Sequence, residues 1–80
     1  MPEEQLFKTK QQATRAEIAE ALRDAAAQIE SGDVQLSSAT AEQTVAVPDS
    51  PRFEVELERL TDSETGDQRY ELEYEIRWTE

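Results

Sequence analysis

The stretch "RYELEYEIRW", residues 69–78, alternates between charged and apolar side chains almost without interruption. A repeat of two is the period of a β-strand, in which successive side chains point to opposite faces. Tyr70, Leu72, Tyr74, Ile76 and Trp78 therefore fall on one side, and Arg69, Glu71, Glu73, Glu75 and Arg77 on the other. "RFEVELERL", residues 52–60, repeats the pattern, with Phe53, Val55 and Leu57 inward and Glu54, Glu56 and Glu58 outward. Two such runs, separated by the polar "TDSETGD" with Gly66 available for a positive φ, predict an antiparallel hairpin with its loop at 61–68.

Matching the apolar faces leaves two registers open. Leu57 opposite Leu72 brings Val55 to Tyr74, and Glu56 and Glu54 to Glu73 and Glu75. A slip of two residues pairs Glu58 with Arg69, Glu56 with Glu71 and Glu54 with Glu73. Both put glutamates across from one another, because one buried face fixes the parity of the pairing. Like charges directly opposite destabilise a ladder, and salt, a bound cation or a basic partner would relieve them.

Upstream, the period changes. "TRAEIAEALRDAAAQIES", residues 14–31, places Ile18, Leu22, Ala25 or Ala26, and Ile29 at spacings of three or four, which is one stripe of a helix. Thr14 with Glu17 three residues on forms a capping box. Six alanines between 16 and 27 favour helix, and Gly32 is placed to end it in the left-handed conformation. Val34 and Leu36 in "DVQLSS" and Val45 and Val47 in "TVAVP" predict two short strands around a "SATAEQ" loop. "PDSP", residues 48–51, is a stiff connector, since a central strand does not tolerate proline. "QLFK", residues 5–8, either adds a fifth, edge strand or lays Leu6 and Phe7 over the core, and residues 1–4 are expected to be disordered.

The fold class is α+β: one domain over residues 1–80, with a helix at about 14–31 packed on one face of a four-stranded antiparallel sheet, five-stranded if "QLFK" joins. An 18-residue helix is about 27 Å long and about 10 Å wide, narrower than four strands about 4.8 Å apart. Part of the apolar face then needs cover from the N-terminal segment or a second chain. Phe7, Phe53, Tyr70, Tyr74, Ile76 and Trp78 are the candidate interface residues, and a homodimer is one way to cover them.

Composition narrows the chemistry. There is no cysteine and no histidine in the 80 residues, which removes disulfides, thiolate metal sites, the commonest general base and the commonest transition-metal ligand. No metal or cofactor site is expected. No run approaches the roughly 18 apolar residues of a membrane span, and "MPEEQLFKTK" has no apolar signal core; a soluble, cytoplasmic protein is expected. Nineteen acidic residues against eight basic ones give −11, and six of the eight are Arg. At molar ionic strength the Debye length falls to about 3 Å, so this self-repulsion is screened. The composition is that of a protein living in concentrated salt.

The "LFK" segment, the amphipathic helix, the Gly turn and the alternating strands ending in tryptophan at "EIRW" together resemble the amphi-Trp domain family over residues 5 to 78. Trp78 matches the tryptophan that gives the family its name. The family is frequent in halophilic archaea and has no assigned activity, so the resemblance implies fold and habitat and no mechanism.

Other constellations give weaker signals. Glu54, Glu56, Glu58, Glu71, Glu73 and Glu75 offer oxygen ligands, but a flat strand face spreads them, whereas Ca²⁺ sites gather six to eight oxygens in a curved loop; bulk salt cations are expected there rather than a specific ion. Acid–base hydrolysis needs a cleft and a partly buried carboxyl, which an outward row lacks. "TDSETGD" departs from the D-x-D-x-D-G calcium-loop spacing. Lys8, Lys10 and Arg15 lie in the longest acid-free stretch, 5–16, and could touch nucleic-acid phosphate, although three charges on a chain of −11 disfavour it. Trp78 fits the core or its rim, with an interface anchor as the alternative. The expected function is a non-enzymatic interaction or assembly module that binds itself or a protein partner through residual apolar surface. The rival is a nucleic-acid-associated regulator using Lys8, Lys10 and Arg15, with a small hydrolase third.

Overall fold

The computed structural model describes residues 2–80. It is α+β, with the order α1 (Arg15–Ser31), β1 (Asp33–Ser37), β2 (Glu42–Ala46), β3 (Arg52–Thr61) and β4 (Gln68–Arg77). The chain divides into two compact units, Met1–Asp49 and Ser50–Glu80. Its four strands form two two-stranded antiparallel sheets, β1–β2 and β3–β4, in place of the single four-stranded sheet expected from the sequence. Pro48 and Pro51 lie between β2 and β3 and can give no N–H to a ladder.

In the first unit, α1 forms where its caps dictate. The Thr14 hydroxyl accepts from the Glu17 N–H at 3.1 Å, and the Glu17 carboxylate accepts from the Thr14 N–H at 3.0 Å. These reciprocal bonds satisfy donors that the first turn would otherwise leave unpaired. At the other end Gly32 has φ 99°, and its N–H reaches the Gln28 and Ile29 carbonyls at 3.1 Å. That left-handed conformation costs a Cβ-bearing residue more than glycine, so the helix stops here and β1 begins at once. The Gln28 amide oxygen then accepts from the Gln35 N–H at 2.7 Å, tying α1 to β1.

β1 and β2 pair with Val34 opposite Val45 and Leu36 opposite Gln43. The turn between them is tighter than the six-residue loop read from the sequence. The Ser38 N–H donates to the Ala41 carbonyl at 2.8 Å, while the Ser38 hydroxyl accepts from Ala41 and Thr40. Glu42 and Gln43 thereby join β2, and Val47 lies just past the strand, its N–H bonded to the Gly32 carbonyl at 2.7 Å. No helix or strand falls between residues 2 and 14, so "QLFK" is not a fifth strand. Phe7 instead lines a recess with Ala21, Ala25, Gln28, Val34 and Leu36 along the α1–β1 seam, while Leu6 is 63% exposed. Of the four N-terminal residues expected to be disordered, Met1 lies outside the described residues and 2–4 carry no regular element.

The second unit is the β3–β4 hairpin. Its ladder takes the first of the two registers, with Leu57 opposite Leu72, Val55 opposite Tyr74 and Phe53 opposite Ile76. Thr61 and Gln68 are paired, which shortens the loop to six residues, 62–67. Asp62 organises that loop: its carboxylate accepts from the Glu64 and Thr65 N–H groups at 2.8 and 3.1 Å, and its carbonyl accepts from Gly66 at 2.9 Å. Gly66 has φ 78°, as the turn requires. β4 ends at Arg77, opposite Arg52. The next pairing would set Trp78 against Pro51, which has no N–H to give, so the ladder stops before the tryptophan.

Candidate functional site

The β3–β4 ladder sorts its side chains into two unlike faces. On one, Phe53, Val55, Leu57 and Arg59 of β3 face Ile76, Tyr74, Leu72 and Tyr70 of β4. Phe53 and Tyr74 stack diagonally across the strands, with ring centroids 6.3 Å apart and planes 12° from parallel. Phe53, Val55, Leu57, Tyr70, Leu72 and Tyr74 are each between 55% and 68% exposed. Arg59 is the one charge on this face within the ladder. A two-stranded ribbon has no second layer of its own, so nothing in this unit covers the apolar rows.

The opposite face carries Glu54 against Glu75, Glu56 against Glu73 and Glu58 against Glu71, three like-charge pairs in succession. Arginines stand at both ends. Arg77, paired across the ladder with Arg52, reaches Glu75 at 2.8 Å and, diagonally, Glu54 at 3.8 Å. The hydrogen bond that Arg77 donates to Glu75, then the charges of Glu54 and Glu75, hold the Arg77 guanidinium more firmly protonated than usual. Arg69 sits 3.8 Å from Glu71. The middle of the row has no such neutralisation. There a shared hydrogen bond with Glu58, followed by that residue's negative charge, pushes the Glu56 carboxyl above its ordinary value, and Glu75 and Glu54 add to the push. Protonation is one way for the row to shed repulsion, and screening by dissolved salt is the other.

The remaining candidates distribute as follows. Among the described residues no cluster of three or more acidic side chains is arranged to hold a metal ion. In the loop, Asp62 is committed to backbone: the N–H groups of Glu64 and Thr65 hold its carboxyl below the ordinary carboxylate range. Lys8 and Lys10 line an open polar recess with Thr9, Gln11, Ser37, Ser38 and Thr40 beside the β1–β2 turn. Arg15 is the first residue of α1 and does not line that recess. The structure thus joins two of the three basic candidates.

The candidate interface residues also separate. Phe53, Tyr70, Tyr74 and Ile76 share the apolar face of the second unit. Trp78 lies in the same unit, half-buried, one residue beyond β4. Phe7 belongs to the first unit. Val55, Leu57 and Leu72 complete the face, although the sequence reading did not single them out as interface. The signal for them was the same alternation that marked Phe53, Tyr70, Tyr74 and Ile76. Leu60 breaks the pattern. It falls on the charged face opposite Arg69 and borders a recess with Thr61, Asp62, Asp67 and Gln68 at the loop end.

These elements define a small α+β protein whose distinguishing part is a ten-residue-stranded hairpin, amphipathic from face to face and followed immediately by tryptophan. The chain belongs to the Amphi-Trp domain family, whose model matches residues 1–80, its whole length. Among curated proteins and among solved structures, none matches the chain.

Proposed function

We propose that this protein is a small, non-enzymatic interaction module of a halophilic, archaeal-type cytoplasm, which binds itself or another protein through the apolar face of β3–β4. The observation that carries the reading is the register. By setting Phe53, Val55 and Leu57 against Ile76, Tyr74 and Leu72, it gathers six apolar side chains on one side and six glutamates on the other. An isolated two-stranded hairpin is marginal in water and gains stability when its apolar face packs on something. An exposed apolar patch rimmed by polar groups is the ordinary mark of a protein-binding surface. The glutamate face supports the salt-rich habitat, since its three like-charge pairs are costly in dilute buffer and screened in concentrated KCl. Among the described residues, no helix is long and apolar enough to cross a membrane.

The test is apolar-dye binding together with a folding readout as KCl rises from dilute to molar, compared with low millimolar Mg²⁺ or Ca²⁺. The reading expects gradual folding with KCl and an apolar face that either binds dye, which Leu57→Lys abolishes, or is covered by association, which Leu57→Lys weakens. Saturation at low millimolar divalent ion would replace the salt-screened face with a specific cation site, and dye binding untouched by Leu57→Lys would remove the interaction face.

One observation favours a second reading, a nucleic-acid-associated regulator: Lys8 and Lys10 stand beside the hydroxyls of Ser37, Ser38 and Thr40, a donor set suited to phosphate. Binding of that kind weakens steeply with salt. DNA affinity in dilute buffer that falls on Lys8→Gln with Lys10→Gln would carry it.

A further inference from the structure

We infer that the partner of the β3–β4 apolar face is a second copy of this chain, packed face to face across a two-fold axis. This rests on the interaction reading above and commits it to one occupant. Area is the first argument. Aromatic side chains carry about 150–250 Å² each, so at their observed exposures Phe53, Tyr70 and Tyr74 with Val55, Leu57 and Leu72 offer on the order of 700–800 Å² per copy, close to the roughly 800 Å² each partner gives a standard interface.

Charge is the second argument. Two molecules of −11 each must approach through the surface that brings the fewest like charges together. The apolar face has no carboxylate in its ladder and a single Arg59 near one end, while Glu54, Glu56, Glu58, Glu71, Glu73 and Glu75 all point the other way. Pairing through this face keeps all six outward, where salt screens them.

Shape is the third. The stacked Phe53 and Tyr74 rings form a ridge beside the smaller Val55. A two-fold interface sets the same patch against itself, so a ridge beside a smaller side chain on one copy meets the same relief, turned about the axis, on the other. Sheet faces pack in this manner about 10 Å apart.

The experiment is sedimentation equilibrium in molar KCl on the full chain, with Val55→Cys as a conservative second probe; the sequence has no cysteine to confuse it. The expected mass is twice 9.1 kDa. Leu57→Lys should weaken association at least tenfold, with its helix content unchanged by circular dichroism. Val55→Cys should be joined across the dimer by a short bis-maleimide. A wild-type mass of 9.1 kDa at every concentration overturns the inference. In that case, dye binding that Leu57→Lys still abolishes leaves the interaction reading standing, and no dye binding at all sinks both. A dimer that never cross-links through Val55→Cys, or that Leu22→Lys abolishes and Leu57→Lys does not, also overturns the inference by moving the interface elsewhere.

Discussion

Glu56 of β3 lies directly opposite Glu73 of β4, and the pairs on either side of them, Glu54–Glu75 and Glu58–Glu71, are also glutamates. The hairpin therefore holds three cross-strand repulsions in a row. Their geometry is imposed from the other side: the register that matches Leu57 to Leu72 and Val55 to Tyr74 fixes the glutamates opposite one another as well. The apolar face dictates the pairing, and the acidic face bears the consequence.

Reversing one charge in the middle of the row tests that relationship. Glu73→Arg converts the Glu56 pair to an attractive one and should raise the thermal midpoint of the hairpin by about 2–8 °C in dilute buffer. In molar KCl the gain should shrink toward zero. An equal gain in both solvents would mean that the substitution acts through packing.

The pH dependence has opposite signs at different carboxyls. Glu56 is shifted upward by Glu58, so its protonated form suits the fold. Its contribution is fully present below the unfolded glutamate value of about 4.3 and is lost as pH rises through the higher folded value. Mild acidification in dilute buffer should therefore stabilise the hairpin, followed by tyrosine fluorescence or amide exchange. Glu56→Gln should flatten that dependence.

Glu17 and Asp62 run the other way. Hydrogen bonds from the Thr14 N–H and hydroxyl lower Glu17, and the N–H groups of Glu64 and Thr65 lower Asp62. Their contributions are present above the unfolded values and disappear as pH falls through the depressed folded ones. Helix ellipticity should consequently drop at the acid end, and Glu17→Gln should lose that step.

The helix ends give two stability predictions. Thr14→Ala removes the hydroxyl that accepts from Glu17 and should cost about 1 kcal/mol of stability in the first unit. At Gly32 an added Cβ meets nothing within 4 Å, so the φ of 99° is the whole obstacle. Gly32→Ala should cost about 1–2 kcal/mol, and Gly32→Asn clearly less, because asparagine tolerates this conformation. Equal losses for the two would point to a steric cause.

The helix was legible because every instruction for it is local: Thr14, Glu17 and Gly32 lie within one turn of the ends they define. The faces of β3 and β4 were legible for a similar reason, since alternation fixes which side a residue takes. Which strand neighbours which is a long-range matter. Periodicity cannot say whether β2 pairs with β3, and the prolines at 48 and 51, read only as a stiff connector, also separate the ladders. β2 began two residues earlier than expected because the Ser38 hydroxyl closes a shorter turn, a side-chain effect that "SATAEQ" does not advertise. Among the site residues, the Tyr70, Tyr74, Ile76 and Phe53 cluster followed from alternation. Phe7 belongs to the other unit, where it lines the recess along the α1–β1 seam.

The central claim is that β3–β4 is a two-sided element, held together by apolar contact on one face and dependent on salt to quiet the other. Amide hydrogen exchange across residues 52–61 and 68–77, in dilute buffer and in molar KCl, tests it most directly. The account predicts weak protection in dilute buffer that rises progressively with KCl and is greatest around Val55–Leu57 and Leu72–Tyr74. Full and equal protection of these amides at both salt concentrations would contradict it.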